Sequence, residues 1–161
     1  AERDTMKAMV ARAMEDGAFG IASALIYPPN TYASTEELVE AAKAMAPYGG
    51  VYITHMRSEG DQLLEAIGET LAVGRSAGLP VQISHLKTQG KSNWHKLPAA
   101  FELIEKARNE GMAVFADRYP YTASSTGLDV VFPAWACEGG TAAELGRLLA
   151  SLEQERGRAE A

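Results

Sequence analysis

Two stretches of this chain carry histidine in the same setting. Val51-Tyr52-Ile53-Thr54-His55-Met56-Arg57 and Val81-Gln82-Ile83-Ser84-His85-Leu86-Lys87 both run from β-prone apolar residues to a hydroxyl, a histidine, a large apolar residue and a cation. A short apolar run bounded by glycine or proline predicts a buried parallel strand. Each histidine then stands at the carboxyl end of its strand, where α/β sheets and barrels place their active sites. The stretch between them has a helical pattern, which makes a βαβ unit with neighbouring strands, about 4.8 Å apart. Two imidazoles at one level on adjacent strands can reach a single metal ion. A strand-end histidine also serves as an ordinary hydrogen-bonded residue, and two histidines alone fall short of a zinc site, which needs further protein ligands.

Other residues with chemistry follow the same pattern. Arg57 and Lys87 lie two residues past the histidines and are expected on the same side of the strand. Cations there bind a substrate carboxylate or close salt bridges at the strand ends. Asp117 ends a further apolar strand at the same level, as a ligand, a base, a partner for a cation or a hydrogen-bonded loop residue. His95, beside Trp94, reads as a surface histidine. Cys137 is the single cysteine, has no histidine near it in sequence and excludes an internal disulfide. It suits a reducing compartment, and a cytoplasmic location is expected. Gly17 to Gly20 precedes a strand rather than a helix, so it fails as a nucleotide-binding fingerprint.

The elements that must position these residues recur regularly. Strands are expected to begin near residues 19, 50, 80 and 113, each separated from the next by a helical pattern. Phe19 to Ile26 and Met112 to Ala116 form the outer two. Helices are expected over 2–16, with Met6, Met9, Val10, Ala13 and Met14 on the apolar side, from Ser34 to Pro47, over 61–77, from Pro98 to Gly111 and over 141–155. Ser34 with Glu37, and Thr141 with Glu144, have the spacing of capping boxes, and Arg156 to Ala161 read as a frayed tail. Strands alternating with helices predict an α/β fold with a parallel sheet. Four consecutive βα units are half of a (β/α)8, TIM-type barrel, read as one partial-barrel domain over residues 1–161. A length of 161 residues suffices for one core. The net charge of −6 argues against nucleic acid as the main partner. No stretch is long and apolar enough to span a membrane.

Several longer words resemble one family. They are Gly17-Ala18-Phe19-Gly20, Leu25-Ile26-Tyr27-Pro28-Pro29, Gly49-Gly50 running on to Arg57-Ser58-Glu59, Gln82 to Lys87, Asn93-Trp94 and Asp117-Arg118-Tyr119-Pro120-Tyr121-Thr122-Ala123. In this order they resemble the D-aminoacylases, the N-acyl-D-amino-acid deacylases of the amidohydrolase superfamily, from about residue 6 to about residue 152. The resemblance implies a zinc-dependent barrel in which His55 and His85 are metal ligands. It implies that Lys87 and Tyr119 hold the substrate carboxylate, with Tyr27 and Ser125 lining the same pocket. The implied reaction is hydrolysis of the amide of an N-acyl-D-amino acid by metal-activated water, with an aspartate as general base.

The chain departs from the family's pattern in lacking the early His-x-His pair, the early cysteine or glutamate ligand and the late aspartate base. Ala22-Ser23-Ala24 stands where the family reads Ser-Thr-Gly. The isolated chain is accordingly expected to be inactive, and the open edges and uncovered apolar face of a half-barrel sheet are expected to make it self-associate. The other readings are an amidohydrolase acting on cyclic amides, of dihydroorotase or hydantoinase type, and a half-barrel that only binds or assembles.

Overall fold

The structure is a computed structural model and describes residues 2–127, 130, 132 and 134–159. Its elements follow one another as helix α1 (Glu2–Glu15), strand β1 (Gly20–Ala24), α2 (Thr35–Met45), β2 (Val51–His55), α3 (Leu63–Ala77), β3 (Val81–Ile83), α4 (Leu97–Asn109), β4 (Val114–Ala116) and α5 (Thr141–Ala159). The four strands pair in parallel, in the order β1-β2-β3-β4. The expected succession of βα units is therefore present.

Register sets the two faces of the sheet. Tyr52 pairs with Val81 and Thr54 with Ile83, while Val81 pairs with Val114. These residues share one face and are buried. Helix α3 lays Leu63, Ile67, Leu71 and Gly74 over them, at the i, i+4, i+8 and i+11 spacing of one helical stripe. A side chain at Gly74 would meet Val81 Cγ1 at 2.3 Å, so glycine is what lets α3 come this close to β3. Gly78 ends α3 at φ 68°, the left-handed residue that closes a helix. The capping box on α2 is present: Ser34 Oγ accepts from Glu37 N–H, and Glu37 Oε2 accepts from Ser34 N–H.

The other face carries Ala22, Ile53, Gln82 and Phe115 in one row across the sheet. Phe115 is 52% exposed, so this face has little over it at the β4 edge. His55 projects from the same face, two residues beyond Ile53. Helices α1 to α4 form a row of neighbours on the opposite side. Helix α5 packs on the turn Ala134–Cys137, where Arg147 donates to the Ala136 carbonyl at 2.6 Å. Among the described residues no helix is long and apolar enough to cross a membrane.

Several expected boundaries and faces differ. Strand β1 is shorter than Phe19 to Ile26 because the chain turns at Leu25, and Phe19 stands exposed. Strand β4 starts at Val114 rather than Met112. In α1, Val10 and Met14 pack on the core, while Met9 is 67% exposed. The cause is position: α1 ends the helix row, beside α2 and tied to it by Lys7–Glu40 at 2.9 Å, so only a narrow stripe is covered. Helix α5 continues to Ala159, through most of the tail expected to fray. Its first described backbone bond runs from Glu144 N–H to the Gly140 carbonyl. The Thr141 side chain, and with it the second capping box, lies outside the described residues.

Candidate active site

His55 is the last residue of β2 and meets expectation. His85 does not: β3 ends at Ile83, and His85 follows in a tight turn at φ 41°, a left-handed conformation that few non-glycine residues adopt. Asp117 holds that turn. Its Oδ1 accepts from the His85 N–H at 2.7 Å, and its Oδ2 accepts from Gln82 Nε2 at 2.6 Å. Its carbonyl also accepts from Leu86 N–H at 2.9 Å. Asp117 is thus a hydrogen-bonded loop-entry residue, one of the four roles open to it from sequence. The turn brings the two imidazoles together all the same, with ring centroids 4.4 Å apart and planes at 72°.

A third group joins them that the sequence did not single out. Glu59, in the loop after β2, is only 5% exposed. Ser58 Oγ shapes that loop by accepting from the Gly60 and Gln62 N–H groups. Glu59 Oε1 lies 2.8 Å from His85 Nδ1 and forms a very short ion pair with Lys87 Nζ. Lys87 also donates to the His85 carbonyl at 2.9 Å, and its Nζ sits 5.4 Å from the centre of the Tyr119 ring. The sequence signals for Glu59 were its place four residues after His55 and its position at the end of the resemblance word Arg57-Ser58-Glu59.

The cluster fits a metal ion. His55, Glu59 and His85 offer ligand atoms that all lie within 4.8 Å of one another. Among the described residues His55 Nε2 is buried with no hydrogen-bond partner. Burial pushes the His55 pKa below its ordinary value, and the nearby His85 and Lys87 act in the same direction against the opposing pull of Glu59. His55 is therefore neutral near pH 7, the form in which imidazole binds metal. Two imidazoles and a carboxylate are a donor set that zinc favours.

A cavity of about 550 Å³ opens over the cluster. Tyr27, His55, His85, Lys87, Tyr119 and Ser125 all line it, so six of the seven residues expected at the site come together. The Tyr27 ring lies 5.2 Å from that of His55, and its hydroxyl bonds Thr126 Oγ1 at 2.7 Å. The seventh, Arg57, is a correction. Strand β2 ends at His55, so alternation no longer aims Arg57 to the histidine's side. Its guanidinium instead grips Glu69 through two bonds of 3.0 Å and the Thr31 and Ala33 carbonyls at 2.7 and 2.9 Å. It anchors the loop between Tyr27 and α2 rather than facing the cavity. His95 is exposed, as expected. Cys137 is buried and lines a separate hollow with Tyr32.

No family model matches the chain. A D-aminoacylase of Alcaligenes xylosoxydans xylosoxydans is 41% identical over 121 residues, covering 75% of this chain and 25% of that protein. The crystal structure of a D-aminoacylase described as defining a novel subset of amidohydrolases superposes with a TM-score of 0.73 at 41% identity, over 76% of this chain and 26% of that one. The N-acyl-D-glutamate deacylase of Bordetella bronchiseptica, solved with zinc and a phosphonate mimic of the tetrahedral intermediate, gives 0.72 at 35% identity, over 74% and 25% of the two chains. An L-hydantoinase from Arthrobacter aurescens, 21% identical with a TM-score of 0.56, shares the fold. The chain spans about a quarter of the length of the relatives it matches, and over most of its own length it is similar to the D-aminoacylases, aligning as four consecutive βα units with part of the amidohydrolase barrel.

Proposed function

We propose that this chain is part of a hydrolase that cleaves the amide bond of N-acyl-D-amino acids with a zinc-activated water. In this reading His55 and His85 are two of the zinc ligands. Lys87 and Tyr119 hold the substrate's α-carboxylate, and Tyr27 and Ser125 shape the same pocket. What carries the reading is one observation: paired imidazoles 4.4 Å apart share a cavity with a lysine ammonium. A metal and a carboxylate anchor side by side suit an N-acyl amino acid, whose scissile carbonyl and α-carboxylate are close neighbours. When bound, zinc would supply Lewis acidity at the acyl carbonyl and lower the pKa of a water.

The chain's own residues bind and orient. Lys87 offers a charge-assisted grip on a carboxylate, and the Tyr119 ring beside it limits where that carboxylate sits. Tyr27, braced by Thr126, walls the histidine side of the cavity. The general base belongs, in this proposal, to another part of the protein. Residues 1–161 are then one partial-barrel domain of a cytoplasmic enzyme, inactive alone and prone to pair through its open sheet face and edges. The hydantoinase-type alternative is less well supported, since such neighbours share only the fold at 21% identity or below.

The test is release of D-amino acid from N-acyl-D-amino acids. A longer protein containing this chain should give zinc-dependent turnover that His55→Ala and His85→Ala abolish, while the 161-residue chain gives none. Absence of deacylation by the longer protein would contradict the proposal.

A further inference from the structure

We propose that Asn93 is a positioning residue for Lys87: its buried amide clasps the loop after β3 to the loop after β2, and that clasp sets where the Lys87 ammonium stands in the cavity. This rests on the reading of Lys87 as the carboxylate anchor. The starting observation is a buried polar residue in an exposed segment. Gly90, Lys91, Ser92, Trp94 and His95 are all exposed, yet Asn93 is 5% exposed. Burying an amide is costly unless its hydrogen bonds are made.

Those bonds are made, and they join the two loops. Asn93 Nδ2 donates to Asp61 Oδ1, in the loop after β2, at 3.0 Å, and to the Gln89 carbonyl, in its own loop, at 2.9 Å. Asn93 Oδ1 accepts from Lys96 Nζ at 2.7 Å, and the same ammonium donates to the Asp61 carbonyl at 2.7 Å. These partners fix the orientation of the amide. Turned over, it would set its NH2 group against an ammonium and its oxygen against two acceptors.

The clasp reaches the cavity through Lys87. After the His85 turn, Leu86 N–H is held by the Asp117 carbonyl at 2.9 Å. Among the described residues the next backbone tie is Gln89 N–H to the Glu59 carbonyl at 2.7 Å, and the backbone of Lys87 and Thr88 spans the gap. Asn93 holds Gln89 from its other side, through the carbonyl. The Lys87 ammonium must meet Glu59, which belongs to the facing loop, while it also donates to the His85 carbonyl at 2.9 Å. The spacing of the two loops therefore places the ammonium, and Asn93 with Lys96 sets that spacing. Neither Asn93 nor Lys96 lines the cavity, so both act through Lys87 rather than on a ligand.

Side-chain 1H–15N spectra of the lysine ammonium groups in the 161-residue chain test this. An ammonium held by several acceptors exchanges its protons slowly, so Lys87, assigned through its own side-chain carbons, should give a resolved signal in the parent. Asn93→Ala should abolish that signal. Asp61→Asn keeps an acceptor oxygen for Asn93 and should retain it, as should Arg57→Ala, which loosens the fold elsewhere. If Asn93→Ala does not fold, Lys96→Met removes the other half of the clasp and should abolish the same signal. In a longer protein that deacylates, Asn93→Ala should raise KM roughly three- to tenfold with kcat and zinc affinity within about twofold, the signature of lost ground-state binding. Four outcomes overturn the assignment: no resolved Lys87 signal in the parent, an unchanged signal in the clasp variants, equal loss in Arg57→Ala, or a fall in kcat at constant KM. Loss of the Lys87 signal in Asn93→Ala, with no deacylation by the longer protein, would confirm the clasp and contradict the carboxylate-anchor reading instead.

Discussion

Replacing Arg57 with alanine separates its two possible roles. In the structure its guanidinium makes four hydrogen bonds, two to Glu69 and one each to the Thr31 and Ala33 carbonyls. The Arg57 side chain is 28% exposed and that of Glu69 13%. Removing one member of a buried ion pair costs about 3–5 kcal/mol. Water reaches part of this pair, and Thr35 Oγ1 still donates to Glu69 at 2.8 Å, so some of the stranded charge stays solvated. The expected loss is therefore about 2–3 kcal/mol. With a urea dependence of about 2 kcal/mol per molar, the unfolding midpoint should fall by roughly 1 M. Arg57→Lys should recover little, because an ammonium cannot span a carboxylate and two carbonyls as a planar fork does. Zinc binding at His55 and His85 should be nearly unchanged in the folded variant. A midpoint within about 0.2 M of the parent, together with lost affinity for a carboxylate ligand, would refute the anchoring role and return Arg57 to the cavity.

Other outcomes follow from the same contacts. In a longer, active protein Lys87→Ala should raise KM and lower kcat/KM by roughly ten- to a hundredfold, as expected for one charge-assisted contact. It should also destabilise the fold by stranding Glu59, and Glu59→Gln with Lys87→Met should restore stability without restoring KM. His55 should titrate with a midpoint below 6.5 in histidine 1H–15N spectra, and a midpoint at or above that value would contradict its burial. The folded state prefers neutral His55, so its contribution to stability is complete above the unfolded pKa of about 6.5 and is lost as pH falls through the lower folded value. Sedimentation equilibrium at micromolar concentration should show association through the open sheet face, and a clean monomer mass would contradict it.

The repeating architecture was legible because its signals are local. Glycine and proline close each βα unit, the Ser34–Glu37 box starts α2, and apolar runs mark the strands. What was not legible depends on distant partners. The His85 turn is imposed by Asp117, 32 residues further on, so the sequence read as a strand continuing to the histidine. The strand reading placed His55 correctly, because β2 reaches that residue, but period-two alternation failed for Arg57 past the strand end. Glu59 looked like one loop acid among many until folding brought His85 and Lys87 to it. The apolar side of α1 was read too wide because its sequence does not reveal that α1 ends the helix row and packs mainly on α2.

The central claim is a metal site built by His55 and His85, and a zinc titration followed at all three histidine side chains tests it most directly. The account predicts that His55 and His85 shift together and saturate with one zinc per chain, while exposed His95 serves as an internal control and stays in place. The response should vanish at both sites in either His55→Ala or His85→Ala. Equal movement of His95, or zinc binding that survives the double replacement unchanged, would contradict the account.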